Sequence, residues 1–78
     1  MKIYDYNGKK NICGGQIKRM RRQKRLSQEN LAAQMQVAGI LLERDSISRI
    51  ESGTRFVTDY ELKTFAKLFG VSVEELWD

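Results

Sequence analysis

The sequence predicts an all-α domain of five short helices. Apolar residues recur at three- and four-residue spacing instead of alternating, and the 78 residues contain no proline. Three helix starts also share one device, an oxygen-bearing cap with an apolar residue before it and another four positions inside the helix. A chain of this length buries only a marginal core, so without disulfide or metal staples it has to be held by helix packing.

The segment before residue 14 mixes Tyr4, Tyr6, Gly8, Lys9 and Lys10 with little periodicity and is expected to be an arm (residues 1–13), irregular at least through Asn11. A helical domain (residues 14–78) follows. Helix 1 should run from about Gly14 to Arg25, with Ile17 and Met20 inward, Cys13 and Lys24 near the same stripe, and Lys18, Arg19, Arg22 and Arg25 on its other faces. Leu26-Ser27 with Leu31, Val57-Thr58 with Leu62, and Val71-Ser72 with Leu76 each fit a hydrophobic staple. Thr58 with Glu61 and Ser72 with Glu75 also complete capping boxes, each cap being worth on the order of 1 kcal/mol. Gly39, Gly53 and Gly70 mark helix ends, where Met35 would meet Ile40 and Ala66 would meet Val71. The predicted helices are therefore about 14–25, 28–38, 44–52, 59–69 and 73–77, and Trp77 is expected to close the core over the fourth.

Composition narrows the function. There is no histidine and only one cysteine, Cys13, which removes disulfide frameworks, Cys/His zinc sites and histidine-activated nucleophiles. Gly14-Gly15 alone is too little for a phosphate loop, so no enzyme, metal or cofactor is expected. No apolar stretch is long enough to span a bilayer or to serve as a secretory signal, and the chain leaves no room for a separate small-molecule ligand domain. The expected location is the cytoplasm, with Cys13 reduced and behaving as a small buried hydrophobe. The net charge of +4 hides an asymmetry. Met1–Arg25 carries nine basic residues against Asp5, or +8, whereas Leu26–Asp78 carries five basic against nine acidic residues, or −4. One end suits a polyanion and the other repels it.

Ser46-Ile47-Ser48-Arg49-Ile50-Glu51-Ser52-Gly53 is the most informative stretch. At about 100° per residue, placing Ile47 and Ile50 inside turns Asp45, Ser48, Arg49 and Ser52 outward and leaves Glu51 on the flank of the buried stripe. Such a polar face can present donors and acceptors to base edges, with arginine able to grip guanine through two hydrogen bonds. The preceding helix and an apolar linker complete a candidate helix-turn-helix.

The chain here resembles the family of Cro and lambda-type repressors, the XRE family. The matching residues are Ile17, Met20 and Arg21; Leu26-Ser27-Gln28-Glu29-Asn30-Leu31-Ala32; Ile47-Ser48-Arg49-Ile50-Glu51-Ser52-Gly53; and Leu62, Ala66-Lys67-Leu68-Phe69-Gly70-Val71-Ser72 and Leu76. They span about residues 14–77. The resemblance implies a compact lambda-repressor-like domain whose third helix reads the major groove. It implies that Arg44, Asp45, Ser48 and Arg49 face base edges or adjacent phosphates, that Ser27, Gln28, Ser52, Thr54 and Arg55 hold phosphates, and that Arg21 and Glu51 form an ion pair between helices 1 and 3. Asp45 could equally cap helix 3. The implied protein is a sequence-specific regulator, a repressor, whose partner is a double-stranded DNA operator bound as a homodimer through helix 5, with Leu76 and Trp77, or through the end of helix 4. The alternative is an antitoxin or protein-interaction adaptor. The chain departs from the family in the connection Val37–Glu43, whose seven residues exceed the usual three to four or so. Ile40, Leu41 and Leu42 are expected to pack beneath the motif.

Overall fold

A computed structural model describes residues 6–77. Four α-helices, α1 (Gly14–Gln23), α2 (Gln28–Val37), α3 (Arg44–Ser52) and α4 (Asp59–Phe69), are followed by a 3₁₀ turn at Val73–Leu76. Among the described residues the domain is thus all-helical with four helices, and the expected fifth helix is a single tight turn. Glu75 closes that turn by accepting the Ser72 N–H at 2.8 Å and the Ser72 hydroxyl at 3.2 Å. Four residues suffice to place Leu76 in the core, where it is fully buried.

Local chemistry sets the helix limits. The Ser27 hydroxyl accepts the Asn30 N–H at 2.9 Å. The Thr58 hydroxyl accepts the Glu61 N–H at 3.2 Å while the Glu61 carboxylate takes the Thr58 N–H at 3.0 Å. All four helices stop the same way, with an N–H reaching back five residues: Leu26 to Arg21 (3.1 Å), Ile40 to Met35 (2.9 Å), Thr54 to Arg49 (2.9 Å) and Val71 to Ala66 (3.0 Å). This ending needs a left-handed residue just before the reaching N–H. Gly39, Gly53 and Gly70 supply it in three cases, whereas α1 uses Arg25 at φ 57°. With no glycine to mark the stop, the sequence predicts a helix to Arg25, and the observed helix ends two residues earlier, at Gln23.

The core gathers Cys13, Ile17 and Met20, Leu31, Ala32 and Met35 of α2, Leu42, Ile47 and Ile50 of α3, Phe65, Ala66 and Phe69 of α4, and Leu76. The connection between α2 and α3 is Ala38–Glu43. Only part of it packs beneath the motif. Leu42 is buried and Ile40 half-buried, but Leu41 is 86% exposed. The Gln36 amide pins this strap by donating to the Leu42 carbonyl at 2.8 Å, which turns Leu42 inward and its neighbour outward. The same parity overturns the expected burial of Trp77. Leu76 takes the core position, and Trp77, in extended backbone immediately after it, is 49% exposed. Lys24 is also exposed, outside the α1 stripe.

The described part of the arm contains no helix, and hydrogen bonds fix its path. Tyr6 and Lys9 exchange backbone hydrogen bonds of 2.6 and 2.9 Å, and Asn7 and Gly8 between them have φ of 51° and 80°, as the tight Asn-Gly hairpin turn requires. The Lys10 N–H then donates to the Gly53 carbonyl at 2.8 Å. Asn11 follows as a three-way tie. Its side-chain oxygen accepts the Gly14 N–H at 2.8 Å, and its side-chain NH2 donates to the carbonyls of Ile50 (3.1 Å) and Arg55 (2.8 Å). One side chain thereby caps α1 and satisfies carbonyls at the end of α3 and in the loop beyond. The α1 start and α3 end approach so closely that a Cβ on Gly14 would lie 2.1 Å from the Ile50 carbonyl oxygen. Cys13 is 3% exposed here, and burial pushes its thiol up to about 11.

Two substitutions test this junction by urea unfolding. Gly14→Ala has to push backbone apart and should cost at least about 1–3 kcal/mol. Asn11→Ala removes the acceptor of the Gly14 N–H and the donor to the Arg55 carbonyl, while the Ile50 carbonyl keeps the Gly53 N–H, and should cost about 1–3 kcal/mol. Wild-type midpoints for both would refute the junction.

Candidate nucleic-acid interface

The orientation of α3 is set by Glu51, whose side chain is 3% exposed. Its carboxylate accepts from Arg21 Nε at 2.6 Å and Nη2 at 3.1 Å, and from the Gln28 amide at 3.0 Å. Arg21 also donates from Nη1 to the Leu26 carbonyl at 2.7 Å. One carboxylate therefore locks α3 against α1 and the first turn of α2. A bidentate arginine suits this position because its fork matches both oxygens.

With Ile47, Ile50 and Glu51 turned inward, Arg44, Asp45, Arg49 and Ser52 are exposed and Ser48 is half-buried. Arg44 opens α3 behind Glu43, which makes no side-chain cap. A cation there opposes the helix dipole, and among the described residues Arg44 has no ion-pair partner to offset it. Asp45 is the second residue of the helix and does not cap it. Its carboxylate instead meets Arg49 Nη2 at 3.1 Å, with both side chains about two-thirds exposed. At the other end, the Ser52 hydroxyl donates to the Arg49 carbonyl at 3.1 Å and lies 3.0 Å from the Thr54 hydroxyl.

The remaining expected phosphate residues are already occupied in the protein. Ser27 both caps α2 and donates to the Asn30 side-chain oxygen at 2.6 Å. Gln28 is held by Glu51. Arg55 grips Glu61 with bonds of 3.0 and 3.1 Å and donates to the Phe56 carbonyl at 2.8 Å, which leaves Nε and one Nη2 hydrogen for a further acceptor. Burial pushes the Glu61 carboxyl up, but the hydrogen bonds from Arg55 and Thr58 together outweigh it and hold the group below its ordinary value.

Asn11, Lys9 and Lys10 also lie at this site, beyond the residues expected from the sequence. Asn11 carried a usable signal, since its oxygen meets the N–H three residues on, the spacing also seen at Ser27–Asn30 and Thr58–Glu61. The positions of Lys9 and Lys10 depend on that anchor and had no local signal. The basic face of α1 places Lys18, Arg19 and Arg22 along a shallow groove with Gly15 and Gln23. Among the described residues there is no group of three or more potential metal ligands, and no helix is long and apolar enough to cross a membrane.

Two stability tests follow. Arg21→Ala leaves the buried Glu51 carboxylate without its cation and should cost about 3–5 kcal/mol in urea titrations; a loss under about 1 kcal/mol would mean that the pair behaves as an exposed one. Because Glu61 titrates lower in the folded than in the unfolded chain, its contribution is complete above the unfolded value of about 4.3 and disappears as pH falls through the folded value. Glu61→Gln should therefore flatten the acid side of the stability curve between about pH 5 and pH 3. An unchanged acid limb would contradict this.

No curated protein matches the chain by sequence. Among solved structures, the crystal structure of the DNA-binding domain of BldD superposes with a TM-score of 0.69 at 25% identity, covering 87% of this chain and 92% of that one. The S. venezulae BldD DNA-binding domain gives the same TM-score and identity, with 94% of its chain covered. The arrangement is the lambda-repressor-like form of the helix-turn-helix. Residues 13–77, nearly the entire chain, match the model described as a helix-turn-helix domain, and the protein belongs to that family.

Proposed function

We propose that this protein is a sequence-specific regulator of transcription, a repressor acting in the cytoplasm, which inserts α3 into the major groove of a double-stranded DNA operator. The single observation that carries this reading is the buried Glu51 lock. It holds α3 so that Arg44, Asp45, Ser48 and Arg49 share the outer side with no competing task in the core. Likeness to a protein domain described as DNA-binding supports the same reading.

The energetics favour release of Arg49 to a base. An exposed Asp45–Arg49 pair at i, i+4 stabilises by about 0.5 kcal/mol at most, whereas a bidentate arginine–guanine contact discriminates by about 1–3 kcal/mol. Asp45 then holds Arg49 in the free protein and can accept from a cytosine amino group. Ser27 and Gln28, at the start of α2, meet a phosphate that the helix dipole attracts, and Ser52, Thr54 and the spare donors of Arg55 meet another. The protein binds a palindromic site as a homodimer. The dimer contact includes Trp77, since Leu76 is fully buried and unavailable.

A second reading, a protein-binding adaptor or antitoxin, draws on one feature. Val37 and Leu41 are 90% and 86% exposed, and Val37 lines a shallow apolar groove with Ala33, Gln34 and Leu68. Selection of duplexes from a random library separates the two readings, because only the first yields a consensus. On the selected duplex, Arg49→Ala should weaken binding by about 1–3 kcal/mol and relax one operator position. Unaltered affinity and base preference would remove Arg49 from the reading surface.

A further inference from the structure

We infer that the Tyr6–Asn11 arm is a built part of the nucleic-acid surface, in which the Lys9 and Lys10 ammonium groups take DNA phosphates beside the C-terminal end of α3. The inference rests on the DNA-binding reading above and adds to it an element outside the helix-turn-helix.

Three observations place the arm there. It is anchored at both ends of a short span: the Asn-Gly turn closes it at Tyr6–Lys9, and Lys10 and Asn11 tie it by backbone and side chain to Gly53, Ile50 and Arg55. The anchoring points lie on the end of α3 and the loop that continues it, next to the exposed hydroxyls of Ser52 and Thr54. Both lysines are oriented by their stems. The Lys9 methylenes cover Gly53, at 3.0–3.3 Å from where a Cβ would stand, and the Lys10 ammonium sits 5.7 Å from the Phe56 ring centroid.

Both lysines are exposed, and neither forms an ion pair among the described residues. That distinguishes them from Arg55, which the buried Glu61 already holds. An anchored loop that carries two cations without an ion-pair partner among the described residues, at the edge of a base-reading helix, matches the geometry of phosphate positioning. The ordering loss of the arm is met on folding and not on binding, so the two charges are preorganised. The rival role for the lysines is confined to the protein: cations near the α3 C-terminus favour its dipole. That role predicts a change in melting temperature with no change in the salt dependence of binding.

The test uses fluorescence anisotropy of the full chain with the library-selected duplex and a scrambled duplex, from about 50 to 300 mM salt. The double variant Lys9→Gln/Lys10→Gln should bind both duplexes at least about tenfold more weakly at 0.1 M salt, with the slope of log K against log salt reduced by about 1.8. The affinity ratio between the duplexes should stay unchanged, and Lys9→Arg/Lys10→Arg should retain wild-type slope. A double glutamine variant with wild-type slope overturns the arm's role whether or not its melting temperature falls, and leaves the α3 reading intact. Absence of salt-sensitive binding by the wild-type chain to any duplex overturns both.

Discussion

A single carboxylate organises the interface. Glu51 takes two hydrogen bonds from Arg21 and one from Gln28 while almost wholly buried. Around a helix axis a rotation of one position, about 100°, would carry Ile47 and Ile50 off the core and turn polar side chains toward it. Ile47 and Ile50 resist that rotation through packing alone, which is non-directional. The Arg21 fork adds direction, because a bidentate pair is satisfied in only one orientation. It also connects three helices through one group, so the orientation of α3 and the position of the α2 first turn are not independent.

Interaction strength falls from this centre outward. Buried groups are paired: no buried side-chain polar atom among the described residues lacks a partner. Glu51 with Arg21 and Glu61 with Arg55 are costly to break because each loss would strand a buried carboxylate. The outer contacts are cheap to exchange, Asp45–Arg49 being open to solvent on both sides. A rigid scaffold carrying loosely held outer side chains is the arrangement that would let a partner compete for those groups without unfolding their support. Arg55 belongs to the scaffold first, since its guanidinium and the Thr58 cap share the same Glu61 carboxylate.

Features written in neighbouring residues were legible in the sequence. Ser27, Thr58, Gly53 and Gly70 set limits for α2, α3 and α4 that the structure reproduces to within one residue. What escaped depends on distant partners or on parity. Arg25 ends α1 in a conformation usually assigned to glycine, so its residue type conceals its role. Leu41 and Leu42, or Leu76 and Trp77, are equally apolar in sequence, and only the path of the backbone decides which member faces the core. Asn11 joins residues 39 and 44 positions away, and a reading based on helical periodicity has nothing to say about such a contact. The orientation of α3 was readable from the spacing of Ile47, Ile50 and Glu51; the ordered arm beside it was not.

The central claim is that the face aimed by Glu51 is the one that meets DNA. Its most direct test is amide chemical-shift mapping during titration of the protein with its library-selected duplex. The account predicts the largest shifts at Ser27 and Gln28, along Arg44–Arg49, at Ser52–Arg55 and at Lys9–Lys10, with little change at Val37, Leu41, Tyr60 and Leu68. Shifts concentrated on this second group, with the outer face of α3 unmoved, would contradict it.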